Sequence, residues 1–183
     1  SKDKGKEIGS FAYTSKSNKF FIRTKAINKN SWILYLKGDE AIIPMNPLLF
    51  LSYNIKKGDI LLAKDSNIGE SIYINNDDYS KDYMISGGIM RLKIKNDSLY
   101  VFAFLKSKFF KEQLNSLVPR GATIRHSKDL YLDCLIPFPN GKNAENIKEK
   151  IKSISQEIID NENKIIENYY KTIKIIDEEI KSN

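Results

Sequence analysis

The sequence predicts a mixed α/β chain. A globular part of twisted β-structure with short helices covers residues 1–140, and one long helix covers residues 141–183. Three observations predict this. Short apolar runs of strand length fill the first part, separated by Gly, Pro, Asn and Asp. One stretch between residues 99 and 117 has helical spacing instead. Residues 143–181 contain neither Gly nor Pro, and their isoleucines recur at a helical period.

Taken in order, residues 1–10 are polar and charged and read as a poorly ordered lead-in. Phe20-Phe21-Ile22 and Trp32-Ile33-Leu34-Tyr35-Leu36 have β character, and Lys37-Gly38-Asp39-Glu40 is a turn. Ile42-Ile43-Pro44 is at best an edge strand, because Pro cannot donate to a ladder. Gly58-Asp59 is a turn signal before the strand Ile60-Leu61-Leu62-Ala63. A polar loop over 64–70 leads to a second strand, Ser71-Ile72-Tyr73-Ile74. The pair forms a scaffold that projects Lys64-Asp65-Ser66-Asn67, and such loops usually bind rather than catalyse. Asn75-Asn76-Asp77-Asp78 is a polar loop. Residues 89–94 alternate apolar and basic side chains and read as a half-exposed strand. Leu99, Phe102, Ala103, Leu105, Phe109, Phe110 and Leu114 mark one helix, ended by Val118-Pro119-Arg120-Gly121. Leu135-Ile136-Pro137-Phe138-Pro139 reads as a strand and a stop.

In the last part, apolar residues fall at Ile147, Ile151, Ile154, Ile158, Ile165, Tyr169, Ile173, Ile176 and Ile180, with a polar gap at Glu162. The mean step is about 3.67 residues, nearer a straight helix than a left-handed coiled coil. Such a helix extends about 57 Å, more than a domain of this size can cover. Its stripe therefore points to pairing with another helix, from a second copy or a larger parent chain. Asn161, Glu162 and Asn168 interrupt the stripe, and buried polar residues of this kind set register. Partial docking of the helix on its own domain is the other reading.

The net charge of +7 is unevenly placed. Residues 1–140 carry 22 Lys/Arg against 14 Asp/Glu, and residues 141–183 carry 8 against 9. A basic excess on the compact part suits a polyanion, above all nucleic acid. One cysteine, Cys134, excludes an internal disulfide and a Cys-based zinc site, and fits a reducing cytoplasm. One histidine, His126, leaves metal and His-dependent catalysis without most of their parts. No apolar run approaches membrane-span length, so no membrane partner is expected. Residue 1 is Ser, which reads as a cut or processed end.

The order of these pieces resembles one target recognition domain and one spacer helix of the specificity subunits of type I restriction–modification systems. Five segments carry the resemblance in the family's order. They are Gly58-Asp59-Ile60-Leu61-Leu62-Ala63-Lys64-Asp65 with Ile68-Gly69, then residues 85–92, then residues 99–107, then Gly121-Ala122-Thr123 with residues 127–130, and finally Leu135-Ile136-Pro137-Phe138-Pro139. Asn140-Gly141-Lys142-Asn143 departs from the family, which continues with a second Pro, a Leu and a Glu-Gln pair. A full subunit also carries two recognition domains and two helices. The resemblance thus fits a half-subunit that pairs with its own copy, a fragment, or the recognition part of a fused methyltransferase–nuclease. It implies a chain without catalysis or cofactor of its own that reads one half of a bipartite double-stranded DNA target. Partner methyltransferase subunits would supply S-adenosylmethionine-dependent adenine methylation, and a restriction subunit would use ATP and Mg. The alternative is a helix-mediated assembly module with an incidental basic surface.

Three groups are candidate DNA contacts. In the first, Lys64, Asp65, Ser66 and Asn67, a lysine suits phosphate or guanine and an asparagine amide suits an adenine edge. The same Asp-Ser-Asn run is also ordinary turn chemistry. The second is Arg120, Arg125, His126 and Lys128 around Gly121, a cationic loop suited to phosphates or simply solvated. The third is Lys19, Arg23 and Lys25, flanking an aromatic pair expected to serve the core. Asn46-Pro47-Leu48-Leu49-Phe50 lacks the second Pro of an adenine-methyltransferase motif and reads as a turn into apolar packing. Asp177-Glu178-Glu179-Ile180-Lys181 reads as a solvated helix end rather than a nuclease site.

Overall fold

The structure is a computed structural model that describes all residues except 28, 35–40, 78–81, 120, 122–125 and 183. The expected turn at 37–40 and part of the Asn75–Asp78 loop lie outside the described residues.

Among the described residues seven strands form two sheets: β1 (Lys2–Lys4), β2 (Phe20–Ile22), β3 (Ile42–Pro44), β4 (Ile60–Ala63), β5 (Ser71–Tyr73), β6 (Tyr83–Ile85) and β7 (Ile89–Leu92). The larger sheet is antiparallel throughout, in the order β1-β7-β4-β5. The smaller sheet has the order β3-β2-β6, with β2 antiparallel to β3 and parallel to β6. Pro44 closes the edge strand β3, where its missing N–H costs no ladder bond. The predicted pair β4 and β5 forms with Ile60 opposite Tyr73 and Leu62 opposite Ser71.

The period-two alternation of β4 sends Ile60 and Leu62 to one core and Leu61 and Ala63 to another. The first core lies under α1 (Ser98–Lys106) and α2 (Lys108–Leu117), with Phe102, Leu105, Phe110 and Leu114. The second joins the sheets through Ile22, Ile72, Ile85 and Ile89. Phe21, Met45 and Met84 make a third, smaller cluster, so of the aromatic pair Phe21 serves the interior, while Phe20 is half-buried and stacks on Tyr83.

Four expectations need correction. β7 is buried on both faces, not half-exposed. Its Arg91, 3% exposed, donates to the Asp3 carboxylate and the Tyr53 carbonyl, with Asp59 3.6 Å away, so the alternating cation faces carboxylates rather than water. Asp3 explains the second correction: the polar start is ordered as β1, paired with β7 along Lys2–Leu92 and Lys4–Met90. Third, residues 99–117 form two helices. Ser107 turns to extended backbone at ψ 153°, and its hydroxyl accepts from the Phe110 N–H, capping α2. Fourth, residues 135–139 form no strand, and Leu135 is 77% exposed. The Gln113 amide takes the place of a neighbouring strand, accepting from Leu135 N and donating to Leu135 O. The expected Asn46 turn forms with its side chain accepting from Leu48 N, and it leads into packing through Phe50 on the third cluster, while Leu48 is 90% exposed.

The long helix α3 runs Ala144–Ser182. Its first two-thirds dock on the domain. Lys148 and Lys152 pair with Asp97, Ser155 and Ile159 are buried, and Ile166 packs on the first core. Asn75 donates to Asn163 at 2.8 Å, and Glu162 accepts from the Ser31–Ile33 segment. Beyond Tyr169 the described side chains are exposed.

Candidate nucleic-acid interface

The loop after β4 leaves its sheet at Lys64, whose N–H donates to Gly88 O. Ser66 then takes the left-handed conformation at φ 63°, turning the chain outward. The segment after α2 returns to this point. Ser127 donates to Lys64 O through its N–H at 2.8 Å and its hydroxyl at 3.1 Å, and Asp65 and His126 form an isolated bridge. His126 Nδ1 lies 2.8 Å from Asp65 Oδ1, and Lys64 Nζ lies 3.0 Å from Asp65 Oδ2. Burial pushes the Asp65 carboxyl upward, but the hydrogen bonds from His126 and Lys64 outweigh it and hold the group below its ordinary range.

A third segment closes the cluster. Asn67 Nδ2 donates to Ile27 O at 3.2 Å, which seats the loop beside the helical turn Thr24–Ala26. Gly88 permits this approach, since a Cβ there would sit 2.7 Å from the Thr24 methyl and 3.4 Å from Asp65 Cβ. Arg23 and Lys25 flank Thr24, so the turn brings part of the third candidate group to the first two.

The candidate residues thus take different positions. Ser66, Asn67, His126, Lys128 and Lys25 are exposed around one junction, and Arg23 is half-buried beside it. Lys64 sits behind them, with a side chain only 10% exposed and its ammonium on Asp65. Lys19 lies at the far end of β2, roughly 13 Å along the chain from Arg23 at 3.3 Å per residue. Its ammonium is 2.9 Å from Asp82 and 4.8 Å over the Phe50 ring. Arg120 and Arg125 lie outside the described residues. Lys128 adopts φ 47°, a conformation uncommon for a side chain of its kind. The nearby Asp129 is paired with Lys2 at 2.8 Å, so that its charge is offset at the rim of the cluster.

Sequence reading missed the Asp65–His126 contact and the Asn67–Ile27 bond. The partners are 61 and 40 residues apart, and no local pattern records them. Glu162 carried a signal, a carboxylate inside an apolar stripe, but the stripe suggested a partner helix rather than this domain.

Chemically, the cluster offers an amide, a hydroxyl, an imidazole and cations on one exposed junction. Such a surface binds by hydrogen bonds and charge. Among the described residues no group of three or more His, Cys, Asp or Glu is placed to hold a metal.

No family model and no curated protein matches the sequence. Several solved structures match the fold, among them the following two. A structure from a study of complex assembly and conformational transition of the type I R-M system aligns over 95% of this chain and 40% of its own, with a TM-score of 0.56 and 14% identity. The type I restriction–modification S subunit from M. genitalium aligns over 96% of this chain and 39% of its own, with a TM-score of 0.58 and 18% identity. The chain therefore spans about two-fifths of the length of the chains it resembles. Its mixed architecture, two sheets followed by a long C-terminal helix, is the fold of a type I restriction–modification specificity subunit over one such portion.

Proposed function

We propose that this chain recognises double-stranded DNA by sequence for a type I restriction–modification system. It reads one half of a bipartite target and directs separate methyltransferase subunits, which bring S-adenosylmethionine, and a restriction subunit, which brings ATP and Mg. The observation that supports this most is the convergence of three distant segments on one polar, basic junction, in a chain whose fold is that of S subunits. Ser66, Asn67 and His126 reach base edges, while Lys25, Arg23 and Lys128 contact phosphates. Lys64 acts from behind, holding Asp65 and with it both loops.

The exposed isoleucines of α3 support self-pairing. Ile147, Ile154, Ile165, Ile173, Ile176 and Ile180 remain exposed, whereas Ile151, Ile158 and Tyr169 are half-buried. At ~100° per residue the predicted stripe lies roughly 80° round the helix from the docked face, so docking and pairing do not compete.

The test is selection from a randomised duplex pool at about 50 and 200 mM salt, the span over which phosphate-driven binding collapses. A short consensus that persists at the higher salt is expected, repeated at a fixed spacing if two copies act together. Binding without consensus that vanishes at the higher salt would leave an assembly module with an incidental basic surface.

A further inference from the structure

Glu162 is where the long helix is fastened most specifically. Both its carboxylate oxygens accept from Trp32 N–H, at 2.9 and 3.0 Å, and Oε2 also accepts from Ile33 N–H at 3.2 Å, with the Ser31 hydroxyl, which donates to Ile33 O at 2.7 Å, 3.3 Å away. The segment it grips belongs to no strand. Ser31 and Ile33 are buried, so their polar groups depend on protein partners. From the other side Lys106 on α1 donates to Ser31 O at 2.8 Å and to Ser71 O at 3.2 Å, and Tyr73 N–H donates to Trp32 O at 2.7 Å. One short segment is thus held by α3, α1 and β5 together.

Next to Glu162, Asn163 accepts one further hydrogen bond, from Asn75 Nδ2 at 2.8 Å, and the remaining contacts of α3 are less directional. Its fully buried apolar contact is one side chain, Ile159, and burial is non-directional. The Lys148 and Lys152 pairs with Asp97 are partly solvated, and such pairs hold geometry weakly. A planar carboxylate with acceptors on two successive N–H groups admits one rotation and one register of the helix. Position matters as well. From Glu162 to the end of α3 is about 30 Å at 1.5 Å per residue. A tilt of roughly 10° about the latch moves that end by roughly 5 Å, more than the 3.4 Å rise of one base pair.

We infer that Glu162 is a specificity-determining residue: by locking α3 to the Ser31–Ile33 segment it fixes the angle of the spacer helix, and hence the distance between the two half-sites. This rests on the proposed DNA-reading function, and two measurements separate its failure from that of the reading. The first repeats the selection with Glu162→Ala and Glu162→Gln. Glu162→Ala is expected to keep the half-site consensus but spread the single preferred spacing over about three neighbouring lengths. Glu162→Gln, which keeps one acceptor oxygen for Trp32, is expected to spread it less. An unchanged single spacing in Glu162→Ala would overturn the inference, as would loss of the consensus with it.

The second measurement needs no DNA. Spin labels at Lys95→Cys and Lys174→Cys, in a Cys134→Ser background, report the angle between domain and helix. The distance distribution of Glu162→Ala is expected to widen about two-fold while its far-UV helical signal stays constant. A distribution as narrow as that of the parent refutes the latch, whatever DNA selection returns. If Glu162→Ala does not fold, Glu162→Gln carries both tests, with any broadening supporting the latch and none refuting it.

Discussion

Asp65 shows how one side chain holds two distant loops together. It sits between a lysine of its own loop and a histidine 61 residues away, and it keeps both loops in register. Asp65→Ala is expected to lower stability by about 1–2 kcal/mol at pH 7, the worth of a charge-assisted hydrogen bond plus the freed Lys64 ammonium. The sign of its pH dependence follows from its depressed folded pKa. The contribution is full above the unfolded pKa, near 3.8, and is lost as pH falls through the lower folded value. Urea denaturation of parent and variant at pH 7 and in stronger acid should therefore show the gap closing at low pH. At the same scale, Lys25→Ala and Lys128→Ala should each reduce the slope of log affinity against log salt by about 1, while leaving any consensus unchanged. A slope that does not move places the residue outside the phosphate contacts. Lys106 has a different character. Burial pushes its ammonium down to about 8, against partial support from Glu70 and Glu162, which marks the hub under the helix as a site where charge is retained at some expense.

Among the elements, α3 divides its isoleucines into two classes that the sequence does not separate. Ile159 is fully buried and Ile165 is 63% exposed. Ile159→Ala should cost about 2–4 kcal/mol, and Ile165→Ala less than about 0.5 kcal/mol, in thermal or urea unfolding. If the exposed stripe pairs two copies, Ile173→Asp with Ile176→Asp should raise the dimer dissociation constant at least about ten-fold in sedimentation experiments, with monomer stability unchanged. Equal association in parent and variant would remove the stripe from assembly. The helix itself was legible because a helical period over so many residues has no other solution. The division of its faces was not, because a period gives spacing but not the partner. The break between α1 and α2 was hidden for another reason. Ser107 sits in the short polar run Lys106-Ser107-Lys108, which a continuous helix could carry on its exposed face, and only its extended backbone reveals a cap. β1 was illegible because Lys-Asp-Lys has no strand propensity, and its place is set by Asp3 against Arg91 across the sheet.

For the whole molecule, a β-rich part followed by one long helix was readable, and the convergence of its loops was not. Gly58-Asp59, the apolar strands and the helical period each follow from near-neighbour chemistry. The junction of the loop at 64–67, the segment at 126–128 and the turn Thr24–Ala26 depends on how two sheets stack, and Gly88 is the one local residue that betrays close approach there. Lys19, adjacent in sequence to the same strand, ends elsewhere because a strand separates its two ends.

The margins of the larger sheet bear on how the protein behaves when concentrated. Its outer strand β1 is three residues long and carries Lys2 and Lys4, while the opposite margin, β5, is covered by the Trp32 carbonyl on Tyr73 N–H. Short, charged or covered margins resist the addition of further strands. The sheet is thus a poor template for fibrous growth, so strand addition at its margins is not a route by which concentrated chains would aggregate.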